Sequence, residues 1–382
     1  MRLDVLGLVG RGKSRHRPRN DPSLYEGPYP FVQTGDVKEA DLWLTQYSQT
    51  YNEKGLAQSK LWPSGTLCIT IAANIAETAI LKIPACFPDS IVGFMPHPGK
   101  ADARFIKYYI DTLKLRMQNA SKGTTQDNLS VDKLMTFDFD VPSFAAQARV
   151  ASILSAYNDL IENNTRRIKI LEEMAQMLYR EWFVHFRFPG HENVSLVESD
   201  LGPIPEGWRA RVLADVLQFE YGKALKAEDR AGGEIAVYGS SGVVGFHDSK
   251  LADGPGIIVG RKGNVGSVFY SPSDFWVIDT AYFVRTSLPL PFVYFNLKAQ
   301  NFLNNDAAVP GLNRNQALSL PIVAPNEFVL SEFERIVDPM LSLKFLLEKR
   351  NANLRTTRDL LLPKLISGEV SVESLEEAEA VV

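Results

Sequence analysis

Residues 143–186 read SFAAQARVASILSAYNDLIENNTRRIKILEEMAQMLYREWFVHF, and this stretch decides the fold. Two rows of mostly apolar side chains recur every seven residues, which is typical of a long helix with a coiled-coil seam. The first row comprises Leu154, Ile161, Ile168, Ala175 and Trp182, and the second comprises Tyr157, Asn164, Leu171 and Leu178. Ser143 is the predicted start and Pro189-Gly190 the predicted end. Such a helix would be about 60 Å long, which is too long to be buried in one small domain.

The same heptad pattern returns at residues 331–365. One predicted row comprises Ile336, Leu343, Arg350 and Thr357, and the other comprises Met340, Leu347, Leu354 and Leu361. Ser331 and Glu334 form a predicted capping box, and Pro339 predicts a kink after which regular helix begins. Asn164 and Arg350 are predicted polar interruptions of the two seams that fix their register. Each stripe alone could be an ordinary core helix, but two matched stripes favour an intramolecular coiled coil.

Composition narrows the class of protein. A chain of 382 residues with 45% hydrophobic content can bury several cores and is expected to form two or three domains. No run of eighteen apolar residues and no signal-peptide core is found, which predicts a soluble cytoplasmic protein without membrane contact. Cys68 and Cys86 are the only cysteines and the five histidines are scattered, so neither disulfides nor a metal site are predicted.

The charge of the chain is unevenly distributed. The net charge is -4, and residues 369–382 contain five glutamates and no basic residue. In contrast, the segment RGKSRHRPR (11–19) carries five Arg or Lys side chains and no acid. A basic cluster of this kind is either a solvated loop or a set of contacts to phosphate groups.

The sequence also indicates an internal duplication. Short strands are predicted at 29–34, 66–71 and 78–83 and helices at 102–118 and 292–303. Gly12-Lys13 corresponds to Gly222-Lys223, Asn74 to Asn264, and residues 123–128 to residues 311–316. The predicted order is a globular domain (1–142), a long helix (143–188), a linker (189–208), a second globular domain (209–328), a second long helix (329–367) and an acidic tail (368–382).

This order predicts the fold class. Because the linker is short, the second helix must return along the first, so the two helices are expected to be antiparallel. The prediction is therefore an α+β protein in which two similar mixed α/β domains are separated by two long antiparallel coiled-coil helices, related by an approximate two-fold axis. Two similar but different domains on a rigid spacer are suited to contact one extended partner at two places.

One apparent nucleotide-binding motif is rejected. Gly7, Gly12, Lys13 and Ser14 match the phosphate-binding loop of nucleotide hydrolases. That loop needs a helix that begins at the lysine, whereas residues 15–22 have no apolar period and contain two prolines. No dinucleotide fingerprint, amino-methyltransferase motif or nucleophile elbow is found either, so a binding protein is favoured over an enzyme.

At this point the chain resembles a known family, the specificity (S) subunits of type I restriction-modification systems. The resemblance covers nearly the whole sequence and rests on four segments: GPIPEGW (202–208), LADV (213–216), RVASILSAYNDLIENNTRRI (149–168) and LLLPKLISGE (360–369). The first half departs from the pattern, because it starts MRLDV (1–5) without a Pro-x-Gly-Trp lead-in.

The resemblance implies a function without catalysis in this chain. Each of two target recognition domains would read one part of a split site on double-stranded DNA. The long helices would dock two modification subunits, which use S-adenosylmethionine to methylate adenine. Restriction subunits would use ATP and magnesium to translocate and cleave DNA. The rival hypothesis is a coiled-coil scaffold that joins two proteins, for which no salt-dependent DNA affinity is expected.

DNA contacts are predicted at polar residues on corresponding turns of the two domains, because such side chains contact phosphates and base edges. In the first domain these are Lys13, Arg15, Arg17 and Arg19 for phosphates, Thr70 and Asn74 for either, and Lys122, Thr124, Thr125, Gln126 and Asn128 for bases. In the second domain they are Lys223, Lys226, Tyr238, Ser240, Ser241, Arg261, Lys262, Asn264, Asn313, Arg314, Asn315 and Gln316. The alternative for any single one is an exposed loop residue.

Overall fold

The computed structural model describes residues 1–121, 129–230, 232–302 and 311–372. The chain forms two compact units. The first unit combines Met1–Asn163 with Arg350–Val382, and the second unit is Asn164–Lys349. Each long helix therefore contributes one part to each unit. Within the described ranges, no helix is long and apolar enough to cross a membrane.

The first unit is built on two small sheets. Its elements are α1 (Leu3–Leu6), β1 (Gly7–Arg11), β2 (Tyr25–Phe31), α2 (Thr34–Glu39), β3 (Trp43–Leu44), β4 (Gln49–Tyr51), α3 (Glu53–Ala57), β5 (Leu61–Trp62), β6 (Leu67–Thr70), β7 (Thr78–Leu81), β8 (Ala85–Cys86), β9 (Ile91–Pro96), α4 (Ala103–Ser121), α5 (Val131–Leu134) and the first part of α6 (Phe144–Tyr179). The strand orders are β1-β9-β6-β7-β3 and β4-β2-β8-β5. The four residues of β6 are all buried, and Leu67, Ile69 and Phe94 share a core with Phe105 and Ile106 of α4.

The second unit repeats this plan. It continues α6 and then holds β10 (Leu196–Val197), β11 (Ile204–Pro205), β12 (Arg209–Val212), β13 (Leu217–Tyr221), β14 (Ile235–Gly239), β15 (Gly242–His247), β16 (Gly256–Gly260), β17 (Val268–Ser271), β18 (Phe275–Val277), β19 (Ala281–Thr286), α7 (Leu290–Ala299), α8 (Arg314–Leu318), β20 (Pro321–Ala324) and the start of α9 (Glu327–Ser367). The strand orders are β13-β19-β16-β17 and β15-β14-β18, with the pairs β10-β11 and β12-β20. The central order β13-β19-β16-β17 matches β1-β9-β6-β7 of the first unit.

The turn that follows the central strand is also repeated. The amide of Ala76 donates to the carbonyl of Thr70, and the amide of Gly266 donates to the carbonyl of Gly260, each at 2.9 Å. Ala76 and Gly266 both have positive φ, at 61° and 75°. Sheet order and turn geometry together confirm the predicted duplication.

The start of the first long helix agrees with the prediction, whereas its end comes earlier. The hydroxyl of Ser143 accepts a hydrogen bond from the amide of Ala146 at 3.3 Å, which caps α6. After Tyr179 the chain makes one π-helical turn, Arg180–Val184. That turn buries Trp182 and Phe183 in the core of the second unit, so the α-helix ends before the predicted stop at Pro189-Gly190.

The predicted start of the second long helix is wrong. The helix begins at Glu327, where the side chain of Asn326 accepts from the amide of Val329 at 3.0 Å. The helix continues through Pro339, so the regular helix begins before Met340 and not after the proline as predicted. Phe333 and Val337, which precede the proline, are both fully buried. Their packing holds the segment helical although proline removes one helical hydrogen bond.

The two long helices are antiparallel within the second unit. Phe333 of α9 lies 5.8 Å from Trp182, measured between ring centroids. Two to three turns further along α9, the ammonium of Lys344 lies 2.7 Å from the carboxylate of Glu172 on α6. Because the sequence number falls on one helix as it rises on the other, the helices run in opposite directions there, as predicted.

The first unit shows the same antiparallel pairing. The side chain of Asn351 donates to the carbonyl of Ile161 at 3.3 Å. Two turns on, the guanidinium of Arg358 donates to the amide oxygen of Asn158 at 2.6 Å. The amide nitrogen of Asn158 in turn donates to the hydroxyl of Tyr108 at 2.9 Å, which connects the helices to α4.

One predicted seam row of α9 is displaced by one residue. The predicted row Met340, Leu347, Leu354 and Leu361 is fully or partly buried. In the other predicted row, Arg350 and Thr357 are exposed. The inward positions are those of Val337, Lys344, Asn351 and Arg358. The polar members face inward because α6 offers each a partner: Glu172, Ile161 and Asn158, respectively. The polar interruption predicted at Arg350 is therefore at Asn351.

Replacing Glu348 with glutamine is expected to stabilise the protein slightly at neutral pH. Glu348 is 44% exposed. Partial burial raises its pKa, and the charge of Glu172 adds to this rise against the attraction of Lys344. Because the pKa is raised in the folded state, ionisation of Glu348 lowers the free energy of unfolding as the pH rises. Glutamine is uncharged and does not have this effect. We expect Tm to increase by up to about 2 °C at pH 7, with the difference fading below about pH 4, where the carboxyl is protonated.

Thermal unfolding at several pH values checks this. The control is Glu334→Gln, another exposed position of the same helix that takes no part in the ion pairs of Lys344 with Glu172 and Glu348. A pH-independent increase would contradict the assignment of the effect to the Glu348 charge.

Candidate nucleic-acid interface

The two Gly-Lys pairs occupy equivalent places in the two units. The amide of Lys13 donates to the carbonyl of Phe87 at 3.0 Å, and the amide of Lys223 donates to the carbonyl of Val277 at 2.8 Å. A Cβ atom on Gly12 would lie 2.2 Å from the carbonyl oxygen of Pro88. Residues 12–21 are extended chain and turns, so no helix begins at Lys13. The glycine is needed for close backbone approach rather than for a nucleotide-binding loop.

Replacing Gly12 with alanine is expected to lower the free energy of unfolding by about 1–3 kcal/mol, because the new methyl group would overlap backbone atoms. The matched control is Gly35→Ala in α2 of the same unit, where a Cβ atom would have no neighbour within 4 Å. That change should be neutral or stabilise by up to about 1 kcal/mol. Denaturant unfolding of both variants tests this, and equal effects would contradict it.

The basic loop of the first unit divides into two groups. Arg17 donates to the carbonyls of Ser14 and His16, and Arg19 pairs with Asp89 at 2.6 Å. These two arginines therefore hold the loop in place. Lys13 and Arg15 are exposed, and their side chains are more available for phosphate contacts than those of Arg17 and Arg19.

Lys60 is a further candidate phosphate contact beside Lys13, and it was not predicted from the sequence. Its ammonium lies 3.5 Å from the ring centroid of Trp62. Burial lowers the pKa of Lys60, and the charge of Lys13 lowers it further, which indicates that the two cations lie near each other. The signal was missed because Lys60 is far from Lys13 in sequence and stands alone in its own segment.

Two predicted DNA contacts must be corrected. Thr70 is fully buried, and its hydroxyl accepts from the amide of Glu77 at 2.9 Å and donates to the carbonyl of Asn74. Tyr238 is 7% exposed and belongs to the core cluster around Phe275. Both side chains have structural roles. Thr70 and Tyr238 lie in the strands β6 and β14, and the exposed turns begin one or two residues after them. Asn74 itself is half-buried in its turn.

The predicted contacts of the second unit differ in how free their side chains are. Lys223 and Ser241 are exposed, and Ser240 is half-buried. Lys226 lies 3.3 Å from the carboxylate of Glu228 and Lys262 lies 3.6 Å from that of Asp279. Both are surface pairs, which bind weakly and can be exchanged for a phosphate.

The structure brings the loop after β16 next to residues 311–316. The amide of Leu312 donates to the carbonyl of Arg261 at 2.8 Å. The side chain of Asn313 accepts from the amides of Asn315 and Gln316 and so caps α8. Asn313 thus has a structural role, whereas Asn315, Gln316 and Asn264 are exposed. Lys122, Thr124, Thr125, Gln126 and Asn128 lie outside the described residues.

Tyr221 is a second residue that the sequence analysis missed. It is the last residue of β13 and is 50% exposed. The guanidinium carbons of Arg261 and Arg314 lie 5.0 and 5.7 Å from its ring centroid. An exposed aromatic ring with two arginines is a surface suited to nucleic acid. Among the described residues, no group of three or more His, Cys, Asp or Glu side chains is placed to hold a metal ion.

The two repeated sheets and their polar loops match a known family. A family model described as the type I restriction modification DNA specificity domain matches residues 6–173 and 205–327, which is more than half of the chain. This chain belongs to that family. The match occurs once in each half and agrees with the duplication seen in the sheets. As a member of the family the chain is a DNA specificity subunit, which confirms the predicted resemblance and not the scaffold hypothesis.

Several relatives cover most of this specificity subunit. The type I restriction enzyme MjaIX specificity subunit of Methanocaldococcus jannaschii is 24% identical, across 91% of this chain and 88% of the relative. The EcoprrI specificity subunit of Escherichia coli is 23% identical, across 78% and 77%. The crystal structure of the type I restriction-modification S subunit from M. genitalium is similar with a TM-score of 0.67 at 17% identity, across 96% of this chain and 95% of that one. This last likeness supports the fold.

Proposed function

We propose that this specificity subunit binds a bipartite DNA site, with each recognition domain contacting one half. The observation that carries the proposal is that equivalent positions of the two sheets hold different side chains. β1 ends in Arg11 where β13 ends in Tyr221. Three residues before Asn74 stands Ile71, and three residues before Asn264 stands Arg261. Two similar scaffolds with unlike reading surfaces favour two unlike half-sites.

The arginines illustrate this difference at one backbone position. In the first unit the side chain of Arg11 donates to the carbonyl of Asp89. In the second unit Arg261 donates to the equivalent carbonyl of Asp279 at 3.2 Å. The equivalent carbonyl is thus contacted from β1 in the first unit and from the loop after β16 in the second unit. Arginine forks are common readers of base edges.

We further propose that the chain works in the cytoplasm within a complex that carries the chemistry. Two modification subunits would bind S-adenosylmethionine and methylate adenine in the site. Restriction subunits would use ATP and magnesium to translocate and cleave incoming DNA. This chain would supply sequence specificity to both reactions and no catalytic group.

A stripe of exposed apolar side chains on α6 is a candidate docking surface for a modification subunit. Ile170, Met174 and Met177 follow one another at helical spacing and are 53%, 43% and 59% exposed. Beside Met174 and Met177, partly buried Ile336 and Met340 line a groove of about 610 Å³. Exposed apolar patches of this kind mark interaction sites, and methionine adapts readily to a partner surface.

Mapping of methylated adenines in cells with and without the gene tests the proposed function. We expect one bipartite motif with an unread gap to be methylated only when the gene is present. Footprinting with the purified modification subunits should show two protected half-sites. A continuous motif, or methylation that is unchanged without the gene, would refute the proposal.

A further inference from the structure

The surface around Tyr221 carries an inference about what the second unit reads. Three separate segments meet there: the end of β13, the loop after β16 and the start of α8. The rings of Tyr221 and Tyr282 are 5.1 Å apart, and the hydroxyl of Tyr282 donates to the carbonyl of Leu312 at 3.1 Å. Leu312 is also bonded to Arg261 through the backbone. The cluster is therefore held in place before any ligand arrives.

Two positive charges, those of Arg261 and Arg314, share this site. Within the described ranges of the chain, no carboxylate lies within ion-pair distance of Arg261 or Arg314, and the carboxylate of Asp279 lies 3.6 Å from the ammonium of Lys262. One N–H group of the Arg261 side chain donates to the backbone carbonyl of Asp279. The Nε–H group of Arg314 is buried, and no atom of the described residues accepts a hydrogen bond from it. A buried donor of this kind costs free energy until an acceptor reaches it.

Two arginines beside one aromatic ring suit a planar ligand edge that offers two adjacent acceptors. A guanidinium beside an aromatic ring has its plane fixed, and a fixed fork matches an edge that offers two acceptors. In the major groove of DNA, guanine offers N7 and O6, which arginine contacts in pairs. An arginine fork also matches the oxygens of a phosphate, but a phosphate contact would affect all DNA sequences equally, whereas a base contact acts at one position.

We propose that Tyr221, Arg261 and Arg314 form a guanine-reading element that specifies one G·C pair in the half-site bound by the second unit. The inference rests on the proposed bipartite function. The first unit has Arg11 at the position of Tyr221 and buried Ile71 at that of Arg261. The same element is therefore missing from the corresponding positions of the first unit, and its half-site is read by other side chains.

The test is methylation mapping with the full complex that contains Arg314→Lys, which keeps the charge but loses the fork. We expect one guanine position in one half-site to become degenerate, with about a 5- to 150-fold loss of discrimination. The other half-site and the gap should stay unchanged. Arg261→Lys should relax the same position, whereas Arg209→Lys, an exposed arginine on β12 of the same unit, should leave the motif intact.

The possible results separate the inference from the proposed function. If the wild-type motif is bipartite but neither half contains a guanine, or if Arg314→Lys and Arg261→Lys leave it unchanged, the inference fails and the proposed function stands. If both variants weaken methylation equally at all sequences, the arginines contact phosphate and the inference is overturned. If no motif depends on this chain, the proposed function itself fails. Equal Tm values of wild type and variants verify that the folded complex is compared.

Discussion

Phe333→Ala is expected to reduce the free energy of unfolding by about 3–5 kcal/mol. Phe333 is fully buried, and its ring lies 4.8 Å from that of Phe183 and 5.8 Å from that of Trp182, measured between centroids. The side chain thus joins α9 to the π-helical turn that ends the first long helix. Its loss would leave a cavity where the two helices meet the core of the second unit.

The matched control is Phe328→Ala on the same helix, where the side chain is 69% exposed. We expect this change to alter the free energy of unfolding by no more than about 0.5 kcal/mol. Denaturant unfolding monitored by circular dichroism measures both variants. A similar small loss for the two phenylalanines would show that the contact between helix and core contributes little.

Met177→Asp is expected to weaken binding of the modification subunit by about 2 kcal/mol or more, which is about thirtyfold in Kd. Met177 is 59% exposed and makes one side of the groove with Met340. A carboxylate there would have to be desolvated against apolar side chains when the partner docks. The folded chain alone should tolerate the change, because the new charge remains in water.

Gln176→Asp is the control for this experiment, because the neighbouring residue is exposed but points away from the apolar stripe. It adds the same charge at the same end of α6, so any effect on the helix itself is matched. Calorimetry or interferometry with the purified modification subunit gives the two Kd values. Unchanged affinity for Met177→Asp, with normal affinity for the control, would remove this groove from the docking surface.

The sequence was most informative where the signal was local or repeated. The heptads of α6 and the row Met340, Leu347, Leu354, Leu361 follow from side-chain spacing alone. The duplication followed from the recurrence of short motifs such as Gly12-Lys13 and Gly222-Lys223. The structure adds the reason for those glycines, which is the close approach of a backbone carbonyl.

The candidate site was less predictable, because it depends on which turn residues reach the surface. Thr70 and Tyr238 have side chains that suit DNA but point into the fold. Lys60 was overlooked because it stands near Lys13 only after the chain has folded. Residue type indicates what a side chain can contact, whereas burial decides whether it does.

The sequence by itself determined that this protein repeats one mixed domain twice and joins the copies through two long helices, because periodicity and repetition are properties of neighbouring residues. Only the tertiary structure decided that Asn351 and not Arg350 faces inward, since adjacent helical residues point about 100° apart and the partner helix selects between them. It also brought Tyr221, Arg261 and Arg314 together from three segments. Contacts between residues distant in sequence are fixed by packing of the whole unit, and no local pattern encodes them.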